Sequence, residues 1–70
     1  MSQTRAQHVV SALRTARYLN QTEIAKFLGV DQATVSRAIK QAQRDNLITE
    51  QEVFACYYAA RVNRVRVFDA

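Results

Sequence analysis

Residues 20–44 read NQTEIAKFLGVDQATVSRAIKQAQR, a run that contains two helix starts and one glycine stop. The Asn20 side chain can cap free backbone amides, while Glu23, three residues on, reaches back in a capping-box arrangement. Ile24, Ala25, Phe27 and Leu28 give the helix that follows an apolar side. Gly29 closes it, because glycine takes the left-handed conformation without the penalty a Cβ brings. Asp31 then caps a further helix from Gln32 to about Arg44, and Asn46 is its left-handed stop. Gln21 to Leu28, Gly29 to Asp31, and Gln32 onward therefore form a helix-turn-helix. Ala25 must be small where the two helices cross, Gly29 must turn sharply, and Ile24, Leu28, Val30 and Val35 lock the angle between them.

The second helix of this pair divides cleanly by angle, since each residue advances about 100° around an α-helix. Starting from Gln32, the residues Ser36, Ala33, Lys40, Arg44 and Arg37 fall within an arc of roughly 140°, with Val35, Ala38, Ile39 and Ala42 on the opposite side. One side is polar and basic; the other packs. A helix lying in the DNA major groove needs this division: short or hydrogen-bonding groups near its N-terminus reach base edges, and cations such as Lys40 and Arg44 meet phosphates.

Outward from the motif, residues from about Thr4 to Tyr18 place Ala6, Val9, Val10, Leu13 and Ala16 at the three-and-four spacing of one buried helix face. After Asn46 two readings stay open. Thr49 followed by Glu52 is a second capping-box pattern, so Glu50 to about Val62 reads as a fourth helix. Against that, Val53 to Tyr58 is rich in β-favouring residues. Arg64 to Phe68 alternates polar and apolar, and a short strand is expected there. Phe54, Tyr57 and Tyr58 read as core or, since tyrosines are enriched at interfaces, as a dimer contact, joined by Val65 and Val67. Arg61, Arg64 and Arg66 read as a solvated edge or a phosphate clamp.

Composition sets the outer bounds. The chain has 70 residues, 49% hydrophobic and 23% charged, which is the length of one domain and ordinary globular composition. No proline and a single glycine leave no material for a P-loop or a GxGxxG turn, so nucleotide enzymes of those kinds are excluded. The one cysteine, Cys56, cannot form an internal disulfide and belongs to no metal-ligand cluster; it reads as a small buried apolar residue. His8 has no second His or Cys nearby and takes no role. The longest apolar run, Val53 to Ala60, is too short to cross a bilayer, and no apolar signal segment opens the chain, so a soluble cytoplasmic protein without membrane contact is expected. Ten Lys/Arg against six Asp/Glu give a net charge of +4, which fits a polyanionic partner.

Gln21-Thr22, Ala25-Lys26, Leu28-Gly29-Val30, Gln32 and Ala38-Ile39 resemble the helix-turn-helix of phage lambda Cro and its relatives among small phage repressors. Residues 33–48, ATVSRAIKQAQRDNLI, are also similar to the recognition helix and exit of many bacterial winged repressors. The resemblance covers about residues 18–48. It implies that Gln32 reads a base edge, bidentate to adenine N6 and N7, and that Ser36 and Arg37 occupy the base-reading positions one turn on, with Arg37 suited to guanine O6 and N7. It further implies that Gln21, Thr22 and Lys26 contact phosphates around the first helix of the motif. Two departures stand out. Asp31 puts a carboxylate near the DNA, where it serves as an N-cap, and Ala33 offers only a methyl group, suited to a thymine methyl.

The expected architecture is mainly α: a three-helix bundle with a helix-turn-helix, followed by a fourth helix and/or a short strand. A Cro-like α+β or winged helix-turn-helix is the alternative. Residues 1–70 are expected to form a single DNA-binding domain, with the motif at 20–45 and a dimerisation or tail segment at 46–70. The expected function is that of a Cro-like phage or prophage repressor, not an enzyme, binding a palindromic double-stranded operator as a homodimer at the nucleoid of a bacterial host cell. No cofactor, metal or small-molecule effector is expected. The alternative is a protein-interaction module, such as an antitoxin or inhibitor on the same fold. For Gln32, Ser36 and Arg37 the plain alternative is a solvated helix face.

Overall fold

Four helices follow one another along the chain: α1 (Arg5–Arg14), α2 (Gln21–Leu28), α3 (Gln32–Arg44) and α4 (Glu50–Asp69). They are taken from a computed structural model that describes residues 4–69, with side chains described through Val65. No strand occurs among the described residues.

Each helix start is a local side-chain event. Thr4 caps α1 in a full capping box: the Gln7 amide donates to Thr4 Oγ1 at 3.2 Å and the Thr4 amide to Gln7 Oε1 at 2.9 Å. Asn20 Oδ1 accepts from the Glu23 amide at 3.0 Å and Asp31 Oδ1 from the Thr34 amide at 2.8 Å, starting α2 and α3 where expected. The boxes expected at Glu23 and Glu52 are only half made. Glu23 Oε1 accepts from the Leu19 amide, one residue further back, at 2.9 Å. Glu52 donates its amide to Thr49 Oγ1 at 3.1 Å, while its carboxylate turns to Arg14 at 3.4 Å. In both cases a distant arginine competes for the carboxylate.

The helix ends repeat one device. Gly29 at φ +72° lets the Val30 amide return to the Ala25 carbonyl at 3.0 Å, and Asn46 at φ +59° lets the Leu47 amide return to the Ala42 carbonyl at 2.9 Å. The first helix stops earlier than its apolar spacing predicts, at Arg14 and not near Tyr18. There the Thr15 hydroxyl donates to the Ala12 carbonyl at 2.6 Å and Ala16 turns left-handed at φ +55°. Tyr18 leaves the helix path and its ring meets Phe27 at 5.1 Å.

Leu13 and Val9 of α1, Ile24 of α2 and Val35 of α3 are the largest fully buried side chains. Each contributes about 1.5–3 kcal/mol by leaving water. Ala6, Ala12, Ala25, Ala38 and Ala42 fill the positions between them, which lets the helices approach closely. Phe27 departs from its expected place on the apolar side of α2 and is 62% exposed.

The strand expected at residues 64–68 does not form; α4 runs on through it. The alternation of Arg64 to Phe68 finds no partner strand, and unpaired strand backbone would leave its donors and acceptors unmatched. Helical spacing instead seats Val53 and Ala60 in buried positions, with Cys56 and Tyr57 partly buried beside them. At the near end, Arg14 Nη2 donates to the Leu47 carbonyl at 2.9 Å; at the far end, the Asn63 side-chain amide donates to the Ala16 carbonyl at 3.3 Å. The α-only branch of the expected fold is therefore the one observed, and neither a winged nor an α+β form is present among the described residues.

Candidate nucleic-acid interface

Val35, Ala38, Ile39 and Ala42 anchor α3 in the core, so the opposite side must face solvent. Gln32, Ala33, Arg37, Lys40 and Arg44 are exposed there and Ser36 is half-buried at one edge. The α3 face thus presents two amide or hydroxyl groups, a methyl group and three cations. On α2, Thr22 and Lys26 are exposed and Gln21 is half-buried.

The two helices meet across a shallow recess shared by Gln21, Ser36 and Lys40, with Phe54 and Tyr57 of α4 closing one side. Gln21, Ser36 and Lys40 are thereby brought together from the sequence-derived set. Arg37 borders a different groove, with Thr4 and Arg5 at the start of α1, Gln41 of α3 and Asp45 just after it. Two further residues border these recesses without having been singled out from the sequence. Gln43 lines the recess with Ser36 and stands seven residues on, so helical periodicity alone could have found it. Arg5 comes beside Arg37 only through the packing of α1 on α3, which leaves no local signal.

Asp31 keeps its negative charge while serving as the cap. It is engaged at the start of α3, and the hydrogen bonds from Thr34 hold its carboxyl below the usual range. Glu23 is held below its ordinary value too, chiefly by the Arg64 guanidinium and then by the Leu19 amide.

On α4 the named residues separate. Phe54 and Tyr58 are 63% and 69% exposed, and Val65 is also exposed. Tyr57 packs partly against the core, with its hydroxyl buried and without a hydrogen-bond partner; burial pushes its pKa up. Cys56 is half-buried beside it, and burial raises its thiol in the same way. The Val67 and Arg66 side chains lie outside the described residues. Of the three arginines read as an edge or clamp, Arg64 is committed to Glu23 and Arg61 is exposed.

The family model for MarR matches residues 4–52, well over half of the chain. The chain belongs to the MarR family. MarR proteins are DNA-binding transcriptional regulators and not enzymes. The MarR match spans α1 to α3 and ends in the first turn of α4, so Phe54, Tyr58 and Val65 lie beyond it. No curated protein and no solved structure matches the chain. No helix among the described residues is long and apolar enough to cross a membrane.

Proposed function

We propose that this MarR-family chain is a repressor that binds a palindromic operator as a homodimer, in the manner of the small Cro-like phage repressors that residues 18–48 resemble. The observation that carries this reading is the two-sided α3: Val35, Ala38, Ile39 and Ala42 buried, with Gln32, Ala33, Arg37, Lys40 and Arg44 exposed opposite them. Gln32, Ala33, Ser36 and Arg37, on the first half of α3, read base edges. Lys40 and Arg44 further along, with Gln21, Thr22 and Lys26 on α2, contact phosphates. Residues 20–45 are the DNA-contacting part of a single domain and residues 46–70 its dimerisation segment. Phe54, Tyr58 and Val65 of α4 form the contact with a second copy, with Tyr57 beneath them and Val67 at the far end. Repression acts by occlusion at the nucleoid of the bacterial cytoplasm, controlled by concentration and competition for sites.

Stoichiometry on a palindromic duplex tests this reading. Two copies should bind one full site and a half-site duplex should lose most of the affinity; one copy bound equally to both would overturn it. The exposure of Phe54 and Tyr58 favours a second reading, a module that holds a protein partner. Pull-down from host lysate with nuclease present should then recover a stoichiometric partner, and recovery of none removes that reading.

A further inference from the structure

Glu23 and Arg64 stand 41 positions apart and form a two-pronged pair: Nη2 donates to Oε1 at 2.5 Å and Nη1 to Oε2 at 3.0 Å. The same guanidinium donates to the Arg17 carbonyl at 3.1 Å, and Glu23 Oε1 also accepts from the Leu19 amide. The far half of α4 is thereby tied to the loop before α2 and to the first turn of α2.

Both side chains remain partly open to water, 43% for Arg64 and 30% for Glu23. Pairs of that exposure contribute little to stability, so the position of this one carries more meaning than its strength. Glu23 is the third residue of α2, directly after Gln21 and Thr22. The amides of those two are first-turn donors with no intrahelical acceptor, and a helix start of this kind attracts anions. A bare carboxylate in the same turn would repel the phosphate that Gln21, Thr22 and Lys26 are placed to meet. The guanidinium of Arg64 cancels that charge where it stands.

We propose that Arg64 is a positioning residue of the DNA interface: by pairing with Glu23 it neutralises the carboxylate in the first turn of α2 and sets the affinity for the DNA backbone. This follows given that the start of α2 faces phosphate, as proposed above. The two partners' variants then move DNA affinity in opposite directions while both lower stability. Glu23→Gln keeps an acceptor for the Leu19 amide, removes the negative charge and releases the Arg64 cation. Arg64→Met keeps the apolar stem and leaves the Glu23 carboxylate uncompensated. Both lower the melting temperature, because both break the pair.

The test is fluorescence anisotropy of a labelled random-sequence duplex with the full chain at low salt, alongside thermal melting of each variant. Glu23→Gln should tighten binding roughly two- to fivefold and Arg64→Met should weaken it by a similar factor, as expected for one unit charge near a phosphate in water. The double variant should return close to the parent. Both shifts should shrink at high salt. Glu52→Gln makes the same change in net charge on the Arg14 pair and should move affinity less than Glu23→Gln does. If the two single variants weaken binding together, the pair is only structural and the proposal fails. Equal shifts for Glu23→Gln and Glu52→Gln would also overturn it, since net charge alone would suffice. A parent chain that does not bind duplex DNA overturns the DNA reading itself and this inference with it, whereas binding by the parent with unchanged variants overturns this inference alone.

Discussion

Arg37 and Lys26 are both exposed cations of the same motif, and the proposed function gives them different work. Arg37 sits on the α3 face among groups able to meet base edges, and a guanidinium can donate twice to guanine; Lys26 sits near the end of α2 as a point charge. Arg37→Ala should cost about 1–3 kcal/mol of operator binding and relax specificity at one base position. Lys26→Ala should weaken all sequences alike and lower the salt slope by about 1. Parallel behaviour of the two in a titration across duplexes and salts would contradict the division. Glu23 allows a separate test by pH. Its carboxyl is held below its ordinary value in the folded chain, so its contribution is present above the unfolded value and is lost as pH falls through the depressed folded one. Melting followed from about pH 5 to pH 3 should show a shallower acid decline for Glu23→Gln than for the parent; parallel curves would remove Glu23 from the account. None of this coupling was legible in the sequence. Asn20, Glu23 and Asp31 are recognisable as helix-start residues from their neighbours, but the partner of Glu23 comes from the far end of the chain.

Elements divide according to how local their causes are. The motif was legible because every part of it is short-range: Asn20 and Asp31 cap, Gly29 and Asn46 close, and the apolar positions of α3 repeat at helical spacing. Gly29 shows this most directly. It holds φ +72°, and a Cβ added there would have nothing within 4 Å, so a substitution meets a backbone penalty and no clash. Gly29→Ala should lower stability by about 1–2 kcal/mol with the helix content of the native state unchanged, measured by chemical denaturation. The end of α1 was not legible, because Ala16 turns left-handed without glycine or asparagine to announce it. The path of α4 was only partly so. Its alternating Arg64 to Phe68 run resembles a strand locally, while the contacts that make it helical lie on α1 and α2. The two faces of α4 separate Tyr57 from Tyr58. Tyr58→Asp should leave a folded chain that sediments as a monomer, whereas Tyr57→Asp, which introduces a charge against the core, should unfold it. The reverse outcome would place the dimer contact on the other side of α4.

The molecule as a whole joins a basic α3 face, a family fold that binds DNA, and a terminal helix with one apolar face seated and another open. Its net charge of +4 alone would give weak, salt-sensitive attachment to any duplex. Sequence reading requires more, and in the proposed reading it comes from Gln32, Ser36 and Arg37 on a helix anchored in the core. Two copies joined through α4 would present two such helices, whose spacing fixes the distance between half-sites. The most direct test is selection of binding sites from random duplex DNA at about 150 mM salt, followed by titration of the selected sequence. The predicted result is a palindrome whose half-sites lie about one helical turn apart, bound far more tightly than random duplex. Uniform weak binding that disappears as salt rises would contradict sequence-specific recognition and leave charge as all that the DNA detects.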